Sequence, residues 1–182
     1  MVRKERSVVR RVTGVTGALA LLLSGCGVIG SGSGATPADL TVTSPAFRDG
    51  ARLPKQFTCH GEKLSPPLRW SGVPAGAKAL ALVVDEVGTT SGATVRWVIY
   101  DIDSRKIEIT ENAVPREARQ ARTYDGKEGY QPPCERENNY RFTVYALRER
   151  LNLPDGTDVA TALSEIAAQT VARGRITAAH LE

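Results

Sequence analysis

Residues 79–85 read ALALVVD, a continuous apolar run that ends in an acid. A run of this kind is typical of a central strand buried on both faces of a sheet. Residues 94–102 (TVRWVIYDI) and residues 140–147 (YRFTVYAL) are rich in β-branched and aromatic side chains, which favour strands. The three stretches therefore predict three core strands.

Weaker patterns flank these three strands. Short strands are predicted at residues 40–43, 68–70, 106–114 and 175–177, and a largely polar loop at residues 115–139. Apolar residues at helical spacing predict a helix over residues 157–173, which Thr157 or Asp158 would cap and Gly174 would end. Runs of strands with one late helix indicate a β-dominated α+β domain and not an alternating βαβ fold.

The N-terminal segment has the pattern of a bacterial lipoprotein signal. Basic residues at positions 3–11 precede a 12-residue apolar run (VTGVTGALALLL), which is too short for a membrane-spanning helix of about 20 residues. Leu23-Ser24-Gly25-Cys26 then matches the lipobox, whose cysteine thiol accepts diacylglycerol. The alternative is a plain secretory signal with an incidental cysteine. We predict a signal peptide at residues 1–25, a lipidated Cys26 with a flexible linker at residues 26–39, and one folded domain at residues 40–182.

Charge and export signal together restrict the partners. The chain has 24 basic and 20 acidic residues, and residues 1–25 hold five of the basic and one of the acidic residues. The remainder is therefore neutral and lacks the positive surface that a phosphate backbone requires, so we expect no nucleic-acid partner. The lipid on Cys26 would hold the protein on the extracytoplasmic face of the cell membrane. The Arg10-Arg11 pair leaves the export route, Sec or Tat, undecided.

Two cysteines follow Cys26 in this exported chain. An oxidising compartment makes Cys59 and Cys134 candidates for a disulfide, and two separate buried thiols are the alternative. The chain has two histidines, His60 and His180, and no CxxC motif. We therefore predict no metal site and no cofactor.

Three segments together resemble one family. They are residues 57–70 (FTCHGEKLSPPLRW), residues 96–102 (RWVIYDI), and the Gly-Tyr, Pro-Cys and YRFTVYAL elements within residues 129–147. They resemble the YTCDGxNxSPPLxW, HWVxYNI and GYxGPCPP…HRYxFxxYAL motifs of the phosphatidylethanolamine-binding protein family, also called Raf kinase inhibitor-like, in its bacterial YbhB/YbcL branch. The resemblance covers residues 40–182. It implies an antiparallel β-sandwich with a C-terminal helix.

The resemblance also implies a small anion pocket at one end of the sandwich. In the family this pocket takes phosphate-like or carboxylate groups through histidines, the aspartates of a DPDAP loop and backbone amides. Without gaps, that loop falls on residues 86–90, so that Glu86 replaces its first acid and Gly88 its second. A one-residue gap would place Asp85 first instead, and both alignments stay open.

The family's polar groups are largely replaced in this sequence. Its two histidines fall on Arg96 and Asn138, and its C-terminal tyrosine falls on His180. The candidate pocket residues are thus Asp85, Glu86, Arg96, Pro133, Asn138 and His180. An arginine is permanently charged, so Arg96 either clamps an anion bidentately or pairs with Glu86 or Asp85 and closes the pocket. We favour closure.

No catalytic motif is visible in the predicted domain. A Ser-His-Asp elbow, a Walker A loop, HExxH and paired carboxylates are all absent from its sequence. Two histidines also give few ways to place a base beside a nucleophile. We expect no enzyme activity and assign no catalytic residue. Two functions remain. One is a tethered binding or inhibitory protein, whose partner is a small anionic ligand or a protein, and the other is a structural or interaction lipoprotein with a vestigial pocket.

Replacing Cys26 tests the lipid anchor. The Cys26→Ser variant lacks the acyl-accepting thiol, and we expect it to move from the membrane fraction into the medium. Fractionation followed by immunoblotting measures this. Retention of the variant in the membrane fraction at wild-type levels would contradict the lipoprotein hypothesis.

Overall fold

The computed structural model describes residues 38–88 and 92–181, so the predicted signal peptide and Cys26 lie outside the described residues. The described residues form ten strands and one α-helix. In chain order they are β1 (Ala38–Asp39), β2 (Thr41–Thr43), β3 (Leu68–Ser71), β4 (Ala79–Gly88), β5 (Gly92–Asp103), β6 (Glu108–Ile109), β7 (Arg119–Arg122), β8 (Asn139–Leu147), β9 (Thr157–Asp158), α1 (Val159–Gln169) and β10 (Thr170–Ala179). No helix in this part of the chain is long and apolar enough to cross a bilayer.

The strands form two sheets. The large sheet has the order β1-β10-β8-β4-β5-β7-β9, and the small sheet has the order β2-β3-β6. The three predicted core strands are adjacent at the centre of the large sheet and antiparallel to one another. β4 pairs with β8 without interruption from Ala79 opposite Leu147 to Val87 opposite Asn139.

The apolar run of β4 is explained by burial on both of its faces. Leu80, Leu82 and Val84 join the core under the small sheet, which includes Trp70 of β3. The alternating residues Ala79, Ala81 and Val83 join a second core that contains Val159, Ala162 and Ile166 of α1. The helix therefore covers one face of the large sheet and the small sheet covers the other. This arrangement confirms the predicted β-dominated α+β class with a C-terminal helix.

The predicted helix boundary at Arg173 is wrong. α1 ends at Gln169, and the next ten residues form β10, which pairs with β8 over almost its whole length. Long-range pairing overrides the local helical pattern here, and the β-branched Thr170 and Val171 suit a strand. At the other end, the carboxylate of Asp158 accepts a hydrogen bond from the amide of Thr161 at 3.0 Å, as an N-cap does.

Two further boundaries differ from the sequence-based expectations. β7 lies inside the segment predicted as loop, where Gln120 and Arg119 pair with Ile99 and Tyr100 of β5. β1 lies at the end of the predicted linker, where Ala38 and Asp39 pair in parallel with β10. Both strands are short and largely polar, so they lack the apolar pattern that makes a strand visible in a sequence.

Gly174 does not end the helix but lies within β10, and close packing explains why it is glycine. A Cβ placed on Gly174 would overlap the carbonyl group of Leu40. The backbone between β1 and β2 therefore crosses β10 at a point where only glycine leaves room. This crossing joins the large sheet to the small one.

Substitution of Gly174 should destabilise the domain. We expect Gly174→Ala to lower the free energy of unfolding by about 2–3 kcal/mol, because the clash is with backbone and cannot be relieved by a rotamer change. Gly76→Ala is the matched control, since a Cβ there meets nothing within 4 Å, and it should change stability by less than about 0.5 kcal/mol. Denaturant unfolding followed by tryptophan fluorescence measures both. Equal stability of the two variants would show that the crossing is not tightly packed.

Candidate functional site

Glu86 lies near the C-terminal end of β4, on the face that carries the small sheet. Directly across the β4–β8 ladder is Tyr140. On the β5 side the register shifts between the pairs Val84–Trp97 and Asp85–Val95, so that Arg96 has no partner in the ladder. Such a β-bulge redirects the side chain of the extra residue. Here it directs the Arg96 guanidinium to the carboxylate of Glu86.

Three side chains contact the Glu86 carboxylate. Arg96 donates to Oε2 through Nε at 2.5 Å and through Nη2 as well. Asn138 donates to Oε1 from Nδ2 at 2.6 Å, and the Tyr140 hydroxyl lies 3.0 Å from the same oxygen. The side chain of Glu86 is only 4% exposed, whereas that of Arg96 is 30% exposed. Glu86 is thus a buried anion with a cation and two neutral groups around it, which is how a buried charge is tolerated.

The Tyr140 hydroxyl is held in its protonated form. It also lies 2.6 Å from the carbonyl oxygen of Glu135, so its proton has two acceptors. Burial raises the pKa of Tyr140 far above its usual range, and the hydrogen bond to Glu86 raises it further. The hydroxyl is therefore a permanent donor and not an acid–base group near neutral pH.

Asp85 lies on the opposite face of the sheet from Glu86. Its carboxylate accepts hydrogen bonds from Arg141 Nε at 3.1 and 3.0 Å and forms an ion pair with Arg141 Nη2. Arg141 stands directly opposite on β8, and its hydrogen bond to Asp85 raises the pKa of the guanidinium. The structure therefore separates Asp85 from Arg96 and Asn138. Of the two alignments of the acidic loop, the one that begins with Glu86 places the acid beside the other candidates.

A disulfide holds the loop beside the site. Cys59 and Cys134 are bonded, with their Cα atoms 5.3 Å apart. The amide of Cys59 donates to the carbonyl of Pro133 at 2.9 Å, and Pro133 is buried. His60 is exposed, with Nε2 at 3.2 Å from the Cys134 carbonyl oxygen. Pro133 is therefore part of the support of this loop and has its carbonyl oxygen occupied.

His180 contributes through its backbone. Its amide donates to the Asn138 carbonyl at 3.2 Å, and its own carbonyl accepts from the amide of Leu53. The residue has a φ of 69° and is exposed. Its ring forms no hydrogen bond within the described residues. His180 thus positions the Asn138 loop, and its side chain does not join the contacts of Glu86.

An aromatic pair includes Trp97, which directly follows Arg96 in β5. The rings of Trp97 and Tyr130 meet edge to face with centroids 5.5 Å apart, and the Tyr130 hydroxyl donates to the Phe57 carbonyl at 2.9 Å. Burial raises the pKa of Tyr130 well above its usual range. These contacts connect the residues after Pro54 to the loop that carries the disulfide.

Arg96 also borders a cavity. A cavity of about 130 Å³ borders Arg96 together with Thr94, Tyr124 and Asp125. The carboxylate of Asp125 makes this cavity unfavourable for a second anion. In residues 38–88 and 92–181, no three His, Cys, Asp or Glu side chains are grouped so that they could hold a metal ion.

The sequence interpretation missed Tyr140 and Arg141 as members of these clusters. Tyr140 matches the tyrosine of the family's HRY motif, so a signal for it was present in the sequence. Arg141 had no such signal, because it takes its role from the antiparallel register that sets it opposite Asp85. A register of this kind follows from the pairing of whole strands.

The arrangement is an anion site whose anion belongs to the chain. A guanidinium, an amide and a protonated hydroxyl converge on one position, and the Glu86 carboxylate occupies it. No nucleophile with a neighbouring base is found among these contacts. The chemistry available here is recognition of a negative charge.

Comparisons with known proteins agree with the fold and the motifs. A sequence profile described as phosphatidylethanolamine-binding protein matches residues 43–180. A Mycobacterium tuberculosis protein named "Putative lipoprotein LppC" is 34% identical over 181 residues, which cover 87% of this chain and 90% of that protein.

Two crystal structures are similar to this chain over the folded domain. The phosphatidylethanolamine-binding protein homologue CT736 of Chlamydia trachomatis has a TM-score of 0.72 at 29% identity, and the match covers 81% of this chain and 99% of CT736. Escherichia coli YbcL, described as a member of the mammalian PEBP family, has a TM-score of 0.72 at 25% identity, with 80% and 99% covered. The profile match, the identity to LppC and these structures together show that the chain belongs to the phosphatidylethanolamine-binding protein family.

Proposed function

We propose that this protein is a lipid-anchored, extracytoplasmic binding protein whose anion site is closed by its own Glu86. It acts by binding a partner and not by catalysis. The observation that carries the proposal is the set of three donors on one buried carboxylate, from Arg96, Asn138 and Tyr140. A free anion that enters this position must first displace Glu86.

Displacement of Glu86 is energetically costly. The carboxylate is almost fully buried, and its ion pair with Arg96 is only partly exposed to solvent. Breaking a buried pair leaves a charge without compensation, which costs about 3–5 kcal/mol. A single phosphate group would have to recover this cost from the same three donors. The site in its present state is therefore a poor receptor for small phosphates and carboxylates.

The same closure supports a protein partner over a free anion. With the pocket occupied, recognition falls to the surface loops around it, which the disulfide of Cys59 and Cys134 holds in place. A rigid surface of this kind loses little entropy on binding. A binding or inhibitory role on the cell surface fits this arrangement.

Four observations support the anchor and the absence of catalysis. The lipobox ends at Cys26, and a relative that covers most of the chain is named a putative lipoprotein. A disulfide suits an oxidising compartment. The two histidines are both exposed, and the contacts of Glu86 include neither, so the site lacks the usual general base.

Titration with inorganic phosphate tests whether Glu86 closes the site. We expect calorimetry on the wild type to give a Kd no tighter than about 1 mM, near −4 kcal/mol. The Glu86→Ala variant should bind phosphate at least tenfold more tightly, because it frees the three donors. In the double variant Glu86→Ala/Arg96→Ala this gain should disappear. Phosphate should also raise the unfolding temperature of Glu86→Ala more than that of the wild type.

Glu108→Ala is the matched control, since Glu108 forms an exposed ion pair with Arg69 at 2.9 Å. Its phosphate binding and its stability should stay close to those of the wild type. Micromolar binding by the wild type that is lost in Arg96→Ala would contradict the proposal. That result would make Arg96 an open anion clamp and Glu86 an accessory group.

A further inference from the structure

One end of the large sheet carries a group of exposed cations. At one end lies the Glu86 site, where β4 meets β8 at Val87 and Asn139. The other end is marked by the first residue of β4, Ala79, which pairs with Asp103 on one side and Leu147 on the other. The segments that leave this second end carry five exposed basic residues, which we call the basic end: Lys78, Arg105, Lys106, Arg148 and Arg150.

Strand registers bring the members of the basic end together. Lys78 precedes β4, and its amide donates to the Leu147 carbonyl at 2.9 Å. Arg148 directly follows Leu147, and its amide donates to the carbonyl of Gln169 at 2.8 Å. Lys106 lies in the turn after β5, and its amide donates to the carbonyl oxygen of Asp103, the last residue of that strand, at 3.0 Å. The cluster therefore follows from the backbone of the sheet and not from the positions of flexible side chains alone.

Few acidic groups offset the basic end. Asp103, which is half-buried, pairs with Arg105, and Glu149 and Glu117 are the exposed acids, with Glu117 lining the same cavity as Lys106. The buried Asp101 is occupied, since its carboxylate accepts the amides of Leu151 and Asn152.

Three of the five cations are available for an external partner. Within the described residues, the ammonium groups of Lys78 and Lys106 and the guanidinium of Arg148 form no ion pair and no hydrogen bond, although Lys106 lines a cavity together with Glu117. The chain beyond residue 25 is neutral in total, so the excess of positive charge here is balanced by negative charge elsewhere.

The chain enters the domain near this same end. β1 runs parallel to β10, and Ala38 pairs with Ala172. β10 begins at Thr170, which pairs with Leu147 at the basic end. Ala38 is thus two residue positions from the basic end and far from the Glu86 end. Twelve positions separate Cys26 from Ala38, and a fully extended chain of that length reaches at most about 40 Å.

We propose that the basic end docks on the anionic lipid headgroups of the membrane that holds the protein. The inference rests on the proposed lipid anchor at Cys26, which keeps the domain within reach of the bilayer. Positive charge at the point of chain entry complements an anionic surface, and exposed lysines and arginines near such a surface are attracted to it. Docking in this orientation turns the Glu86 end and its loops away from the membrane.

Vesicle binding of the full chain carrying Cys26→Ser tests this surface without the acyl anchor. The probes are vesicles of phosphatidylcholine alone and of phosphatidylcholine with 30% phosphatidylglycerol. The test variant adds Lys78→Gln, Lys106→Gln and Arg148→Gln. The control variant adds Arg48→Gln, Lys63→Gln and Arg136→Gln, which remove three exposed cations from segments at the other end of the sheet. All proteins share the N-terminal segment, so its contribution cancels in the comparison.

We expect the test variant to lose affinity for the anionic vesicles by roughly fivefold for each charge removed. The control variant should lose less than about threefold in all. Salt at 0.5 M should abolish the difference, since it shortens the Debye length. Equal loss in both variants, or no loss in either, would overturn the inference. A failed anchor is detected separately, by fractionation of Cys26→Ser in cells.

Discussion

The burial of the Glu86 carboxylate at the end of the central strand sets the requirements for everything around it. A buried anion needs compensating charge and hydrogen bonds in place of the water it has lost. Three neighbouring elements each supply one side chain that contacts the carboxylate. The bulge in β5 supplies Arg96, the start of β8 supplies Tyr140, and the loop before β8 supplies Asn138. The disulfide and the backbone of His180 hold that loop at the correct distance. The anion site is therefore an integral part of the sandwich.

The sequence predicted the centre of the sheet well, because β4, β5 and β8 are buried and strongly apolar. It could not predict where α1 ends, since the choice between helix and strand at Thr170 depends on pairing with β8, more than twenty residues earlier. The resemblance pointed to Arg96 and Asn138, and in the structure both side chains contact Glu86. Which of Asp85 and Glu86 joins them depends on the bulge at Arg96, and a bulge has no signature in a single sequence.

The antiparallel central strands give the domain two ends with different properties. One end gathers the loops after β4 and before β8, where the buried ion pair and the disulfide lie. The other end gathers the turns before β4 and after β8, which carry exposed cations, and it lies close to the point where the chain enters. The two faces of the sheet also differ. Asp85 and Glu86 are adjacent in β4, yet they form separate ion pairs on opposite faces. Substitutions at one end can therefore leave the contacts at the other end unchanged.

The position of β10 has a consequence for the order in which the domain can fold during synthesis. β10 follows all the other described strands in the chain, yet it lies between β1 and β8 in the sheet. Until it is present, β8 has an open edge, β1 has no partner and the crossing of Leu40 over Gly174 cannot form. Pairing between such distant segments is slow. The large sheet and its crossing to the small sheet can therefore be completed only after β10 has been synthesised, so the domain cannot reach its final fold while the last strand is still being made.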